Sequence, residues 1–288
     1  MLTRMARRLL PVLLLVSGLV ACAPADEESP APPGATGLTT CTKAQLQTKT
    51  PGKLTIGTDN PAYEPWFKDN KPENGQGFES AVAYAVADRL GYTQGEVTWV
   101  RVPFNTAIAP GPKDFDFDIN QFSITEDRKQ AVDFSGPYYL VRQTVIALKS
   151  SKIAGATSVS ALQGAKLGAQ VGTTSYQAVT DVIKPTGQPQ VYNTNDDAKK
   201  ALQNGQIDGL VVDLPTAFFM TAAELENGVI VGQLPQVGVP EQFGLVLDKG
   251  SSLTGCVTQA VDQLRGSEEL KRLEQQWLAQ AAGARELT

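Results

Sequence analysis

Four polar clusters carry the residue types that could do chemistry. The first is Gly57-Thr58-Asp59 with Tyr63 and Trp66, and the second is the run from Asn120 through Gln121, Phe122, Ser123, Ile124, Thr125, Glu126 and Asp127 to Arg128. The third is Gly172-Thr173-Thr174, and the fourth is Asp213 after Val212. Together they offer a guanidinium, carboxylates, hydroxyls and amides, a set suited to holding a small charged or polar molecule by charge-assisted hydrogen bonds. The chain contains no histidine, which removes His-based triads, His general acid–base chemistry and His-containing metal sites. Each cluster also has a plainer reading. Arg128 could pair with Glu126 or Asp127 on the surface, and Asp213 could cap a helix starting near Leu214. Thr173 and Thr174 could be helix caps, and Asp59 could bond its own turn. Aromatic residues near turns often do no more than cover a core.

Such clusters must be positioned by strands that end just before them. Residues 53–57 alternate as a strand, and residues 78–90 carry apolar side chains at helical spacing until Gly91 stops them. Residues 97–102 read as a second strand, and 115–120 alternate apolar with acidic before a polar turn leads to a helix at Glu126. The rhythm then restarts: a short strand at 166–169 runs into a helix, 196–203 is helical, and 207–212 is a strand ending at Asp213. Strands alternating with helices predict an α/β fold with parallel sheets and right-handed crossovers, and the plan occurs twice. Residues 134–139 followed by 141–148 read as one extended crossing between the halves, and 243–247 as another, before helices at 253–264 and 268–282. The expected architecture is therefore two lobes with a hinge: lobe 1 is discontinuous, 41–139 and 242–288, and lobe 2 is 140–241. Ligand contacts belong beyond the carboxyl ends of the strands, in the cleft between the lobes.

The N-terminal segment reads as an address. Arg4, Arg7 and Arg8 precede an apolar run over 9–20 that closes in Leu19-Val20-Ala21-Cys22. This run is too short for a bilayer span of ~20 apolar residues and fits a signal peptide over 1–21. A cysteine directly after the small residue resembles a bacterial lipobox, which implies lipidation of Cys22, acyl chains such as palmitate as the membrane anchor, and 22–40 as a Pro-, Ala- and acid-rich flexible linker. The alternative is an ordinary signal peptide with Cys22 incidental. Removing 1–21 takes away three arginines and no acid, moving the formal charge from −5 to −8. No basic run breaks that acidity, so a nucleic-acid partner is not expected. In an oxidising exterior Cys41 and Cys256 are expected to form a disulfide, with two free thiols as the alternative.

In chain order, Gly57-Thr58-Asp59 with Tyr63, Gly77-Phe78-Glu79, Ser123-Ile124-Thr125-Glu126-Asp127-Arg128, Asp133-Phe134-Ser135-Gly136-Pro137-Tyr138-Tyr139, Val171-Gly172-Thr173-Thr174-Ser175 and Asp213 make the chain resemble the family 3 solute-binding proteins. These are the polar amino acid receptors of ABC importers, and the resemblance covers roughly residues 53–281. It implies a periplasmic-binding-protein-like fold in which Arg128 holds a ligand's α-carboxylate and Asp213 its α-ammonium. Asn120, Gln121 and Ser123 fall in the family's Ser-rich turn. Many relatives carry two serines where this chain has Asn120 and Gln121, bulkier amides that would shrink or repolarise the pocket. Thr173 and Thr174 would face the carboxylate, Tyr63 and Phe104 would sandwich the ligand side chain with Trp66 as a third aromatic, and Asp59 would favour a basic or amide-bearing amino acid. The implied protein is a lipid-anchored extracytoplasmic monomer that hinges near Tyr139 and Glu241, needs no cofactor or metal, is not an enzyme, and hands its ligand to ABC permease subunits. Two other classes stay open. One is a cyclohexadienyl dehydratase-like enzyme using Asp213 or Glu241 as the acid; the other is a sensor, ordinarily fused to a membrane helix, whereas this chain ends at Thr288 with no spanning segment.

Overall fold

A computed structural model describes residues 41–279 and 283–288. The expected signal segment, Cys22 and the linker lie outside the described residues. The first lobe starts with β1 (Leu54–Thr58), buried along its whole length, then α1 (Phe78–Arg89), β2 (Val97–Arg101), α2 (Phe104–Ala107), β3 (Phe117–Asp118), α3 (Glu126–Ala131) and β4 (Val132–Phe134). After the short β5 (Tyr139–Leu140) the second lobe contains β6 (Gln143–Leu148), β7 (Leu167–Gln170), α4 (Thr174–Ala178), β8 (Gln190–Tyr192), α5 (Asn195–Gln203), β9 (Gly209–Asp213), α6 (Leu214–Phe219) and β10 (Gly228–Gln233). The chain then returns through β11 (Gln242–Phe243) to β12 (Val246–Asp248), α7 (Thr254–Gly266) and α8 (Glu269–Leu278). Among the described residues no helix is long and apolar enough to cross a membrane.

The sheets run in the orders β2-β1-β3-β12-β4 and β10-β6-β9-β7-β8. Their parallel parts are those the alternation of strands and helices predicts: β1 with β2 and β3, and β7 with β8 and β9. Neither sheet is all parallel, which corrects the expectation. β12 is antiparallel to both β3 and β4, and β6 is antiparallel to both β9 and β10. The cause is topological: β12 and β6 are the strands that enter each lobe directly from the other, with no crossover helix to reverse them. β5 and β11 pair antiparallel, with Phe243 opposite Tyr139 and Gln242 opposite Leu140, so the two extended crossings lie side by side.

Apolar packing explains why the halves are distinct. α1 turns Phe78, Val82, Ala83, Val86 and Ala87 inward at helical spacing, against Leu54 and Ile56 of β1 and Val257 and Val261 of α7. The second sheet is covered on two sides by separate cores, one around Leu167, Val179 and Val211, the other around Ala198, Leu202 and Leu210. Where the lobes meet, an aromatic knot forms: Trp66 stands edge-on to Tyr139, Phe243 and Phe78 with ring centroids 5.6, 5.7 and 6.1 Å away.

The C-terminal tail departs from the expectation that everything after residue 242 stays with the first lobe. Leu278 belongs to the first core, but Leu287, 1% exposed, belongs to the second. Gln233 N–H donates to the Arg285 carbonyl at 2.7 Å and Leu287 N–H to the Gln233 carbonyl at 2.9 Å, so the tail covers the edge of β10. Gly232 makes this possible, because any Cβ there would collide with Leu287. A bridge of this size has no periodicity to betray it in sequence.

Cys41 and Cys256 form a disulfide, with Cα atoms 5.4 Å apart, joining the start of the described chain to α7. The bond closes a loop of sequence separation 215, long enough to restrict the unfolded chain strongly. Replacing both cysteines by serine is expected to cost ~2–5 kcal/mol of stability. Urea unfolding of the double variant, compared with the oxidised protein, checks this.

Candidate ligand-binding cleft

The ends of four strands converge between the lobes. After β1, the Asp59 carboxylate accepts from its own turn, Asn60 N–H at 2.7 Å, and from Phe104 N–H at 3.2 Å, so it is both a turn residue and the fastener of α2. Arg101, at the end of β2, donates to the Asp59 carbonyl at 2.6 Å. Asp59, Tyr63 and Phe104 line one wall, with Asn120 and Gln121 beside them. Thr173, Thr174 and Asp213 line the other, joined by Ser175 and Val212 from the same motifs and by Gln170 and Asn195, which no sequence motif marks. The Tyr63 hydroxyl lies toward Asp196 at the start of α5; burial, then that carboxylate, push its pKa up.

Arg128 sits in the first turn of α3, whose N-cap Thr125 accepts from Arg128 N–H at 3.2 Å. Its side chain does not pair with Glu126 or Asp127. Instead Nη1 donates to the Ser123 carbonyl at 2.8 Å and Nη2 reaches the Gly172 carbonyl of the other lobe at 3.0 Å. The guanidinium lies 5.4 Å from the centroid of the Phe104 ring, which itself stacks on Phe122 at 4.9 Å. Burial lowers the Arg128 pKa to about 10, while Glu241 and Asp213 act in the opposite direction.

Asp213 closes β9 at the N-cap position of α6, yet its side chain makes no capping bond. The carboxylate instead accepts from Gln143 Nε2 at 2.9 Å. Gln143 Nε2 also donates to both oxygens of Glu241, at 3.2 and 3.1 Å, and Gln143 Oε1 accepts from Ser175 Oγ at 2.7 Å. Only one orientation of the amide satisfies these partners: the NH₂ must face the two carboxylates. Burial holds the Asp213 carboxyl well above the usual range, Glu241 pushes it the same way, and Gln143 and Arg128 pull it down. Ser123 Oγ donates to Glu241 at 2.6 Å and lies 3.1 Å from Thr174 Oγ1 across the cleft. Gln143 and Glu241 thus connect Ser123, Thr174 and Asp213 into one network.

One expected residue lies off the cleft wall, and two that line it have side chains engaged by the protein's own groups. Trp66 is fully buried in the aromatic knot rather than on the cleft wall, and its Nε1 donates to Thr216 Oγ1 of α6 at 2.9 Å. A ring that size, next to the lobe junction, is worth more as packing than as an exposed platform. Gln121, in the left-handed region at φ 48°, turns its amide away from the cleft onto Glu79, so it does not fill the pocket with its head group. The Thr173 hydroxyl is engaged in capping α4, accepting from Tyr176 N–H at 3.1 Å and donating to the Gln170 carbonyl at 2.7 Å.

Behind the cleft floor lies a second row of acids. Glu79, fully buried at the start of α1, accepts from Gln121 N–H at 2.7 Å, from the Gln121 side chain and from the Tyr138 hydroxyl. Burial outweighs those bonds and raises its pKa to about 7. Asp118 is 0% exposed, lies against the Cα of Gly57 where a side chain would strike it, and neither oxygen has a hydrogen-bond partner. Burial, then Glu79 and Asp59, hold it well above the usual carboxylate range, opposed by Lys113. A carboxyl whose pKa is raised in the folded state stabilises fully below its unfolded pKa, and the contribution is lost as pH rises through the folded value. For Glu79 that window runs from about 4.5 to about 7, corresponding to ~3 kcal/mol. Glu79→Gln, which keeps the shape but cannot ionise, is expected to flatten the fall in stability between pH 5 and pH 7. Urea unfolding of both proteins across that range checks it, with Asp118 and Asp213 supplying the slope that remains.

Known proteins place this arrangement. The sequence model of the bacterial extracellular solute-binding proteins, family 3, matches residues 54–280. The arginine-binding extracellular protein ArtP of Bacillus subtilis is 26% identical over 230 residues, 78% of this chain and 86% of that protein. Among solved structures, an ancestral arginine-binding protein bound to glutamine superposes with a TM-score of 0.66 at 29% identity, covering 78% of this chain and 97% of that one. The ancestral amino acid-binding protein described as a precursor of cyclohexadienyl dehydratase gives 0.64 at 29%, covering 78% and 95%. With four-fifths of its length matched and its strand ends gathered about one polar cleft, this chain belongs to the bacterial extracellular solute-binding proteins, family 3.

Proposed function

We propose that the protein is a lipid-anchored, monomeric extracytoplasmic receptor that closes over a polar amino acid, a basic one before an amide-bearing one, and presents it to the permease of an ABC importer. The observation that carries this reading is the approach of Arg128 and Asp213, from different lobes, to one cleft in which each affects the other's ionisation. A zwitterion entering there brings a carboxylate for the guanidinium and an ammonium for Asp213, and the ammonium favours the ionised form of Asp213 that burial opposes. The relatives named for arginine and glutamine support an amino acid as the guest. Once an ammonium has ionised Asp213, the carboxylates of Asp59, Asp213 and Glu241 outnumber Arg128 around the cleft, even with Arg101 bonded to the Asp59 carbonyl, and this surplus favours a cationic head group. Anchoring through Cys22 follows from the sequence pattern, and the 22–40 segment would act as the leash.

The raised Asp213 carboxyl favours one second reading, because a protonated acid in a cleft is what acid-catalysed dehydration needs. Turnover of prephenate or arogenate by the purified protein would establish it and displace simple binding. For the binding reading, a thermal-shift screen against the common amino acids, ornithine and citrulline identifies the guest, since a ligand of the folded state stabilises by RT ln(1 + [L]/Kd). Arg128→Ala and Asp213→Ala are each expected to weaken that ligand by ~2–5 kcal/mol, because each strands a desolvated ligand charge. Calorimetry showing unchanged affinity for either variant removes the assignment.

A further inference from the structure

Glu241 precedes β11 on the returning hinge strand, and its bonds fix the direction of the protons around it. A carboxylate only accepts, so the single hydroxyl proton of Ser123 goes to Glu241 at 2.6 Å. At the 3.1 Å contact between Ser123 and Thr174, Thr174 must then be the donor. Gln143 spends its amide protons on Asp213 and Glu241. Arg128 gives Nη1 and Nη2 to the carbonyls of Ser123 and Gly172, and Glu241 is the acid that acts on it most strongly. The hydroxyl and amide donors of Ser123, Thr174 and Gln143, and one N–H on each terminal nitrogen of Arg128, are therefore already turned onto the protein's own oxygens, and one of those oxygens belongs to a carboxylate.

On the reading of the cleft as an amino acid site, we propose that Glu241 is a built-in competitor for the ligand's carboxylate, so that the site selects on cationic groups and accepts amines lacking an α-carboxylate about as readily as the corresponding amino acids. A ligand carboxylate brought here must either displace Glu241 from Ser123 and Gln143 or sit against a like charge. An amine with a positive group at each end meets neither penalty. Its cations have Asp213, Glu241 and Asp59 to face, and the chemistry selected is that of a decarboxylated basic amino acid.

Titration calorimetry of the purified protein with arginine against agmatine, and with lysine against cadaverine, tests this. Within the pair that binds, the amine is expected to fall within about tenfold of the amino acid in Kd. Glu241→Gln, which keeps an acceptor for Ser123 but removes the charge, is expected to tighten the amino acid about tenfold or more while leaving the amine unchanged or weaker. Glu241→Ala should widen the ratio in the same direction, which guards against a new amide contact as the cause. An amino acid that outbinds its amine by more than about tenfold in the unaltered protein overturns the proposal. So does a Glu241→Gln variant that weakens both members of a pair equally, the signature of a merely structural role. If none of the four compounds binds, the proposal fails, and the amino acid screen then decides whether the receptor reading fails with it.

Discussion

Charges removed from water must be matched, and the cleft is organised by how that is done. A guanidinium and two carboxylates lie within one network, yet no direct ion pair joins Arg128 to Asp213 or Glu241 among the described residues. Neutral groups intervene: the Gln143 amide bridges the two carboxylates, the Ser123 hydroxyl takes one of them, and two backbone carbonyls take the guanidinium. A direct buried pair would give strong attraction at the expense of full desolvation, and opening it would leave both partners stranded. A bridged arrangement holds Glu241 near enough to act on the pKa of Arg128 and of Asp213 while leaving each charge with an exchangeable partner. That is the property a site needs if a charged guest is to enter and replace those partners without first breaking an ion pair.

In the proposed receptor the crossing strands place this network where lobe movement would act on it. Val141 N–H donates to the Glu241 carbonyl at 3.0 Å and Tyr138 N–H to the Phe243 carbonyl at 2.9 Å, so the two crossing strands bend as a pair. Gln143 and Glu241 lie just beyond that pair, one on each strand. They keep their mutual register when the lobes rotate, whereas Arg128 with Gly172, Ser123 with Thr174 and Trp66 with Thr216 are bonds made between lobes. In the proposed closing receptor, rotation about these strands divides the site into a part that persists and a part that forms on closure. The aromatic knot lies at the same junction, and the C-terminal tail, hydrogen-bonded to β10 and packed through Leu287, holds the chain's end to the second lobe.

Much of this was legible in the sequence because the relevant signals are local. The strand before Asp59, the helix from Phe78, the helix start at Glu126 and the turn at Gly172 each rest on a few consecutive residues, and they bring Thr174 and Asp213 to strand ends and Arg128 to the first turn of α3. Gln143 and Glu241 were beyond reach as a working pair. Gln143 reads as one polar residue on a buried strand, Glu241 sits among Pro, Val and Gly without any period, and their partnership with Asp213 exists only after 98 and 70 residues of intervening chain have folded. Trp66 was misread for a related reason: an aromatic residue just after a strand suits a ligand platform and a lobe junction equally well until its neighbours Tyr139 and Phe243 arrive from distant segments. The mixed sheets follow the same logic, since strand direction depends on which lobe the chain has just left.

The second row of acids bears on how the front row works. Asp118 and Glu79 sit behind the floor, and burial keeps both raised, so in mildly acid surroundings they add little negative charge to the cleft. The field a ligand meets is then set by Asp59, Glu241 and Arg128, with Asp213, itself raised by burial, taking up its charge as an ammonium arrives. Around pH 7 Glu79 ionises beneath the Gln121 turn that it holds, which deepens the negative potential above the floor. The stability cost of that buried carboxyl has by then been incurred, between about pH 4.5 and about pH 7. A fold carrying such a floor requires restraint from elsewhere, and the Cys41–Cys256 disulfide and the Leu287 anchor provide it at positions remote from the cleft, where rigidity does not hinder closure.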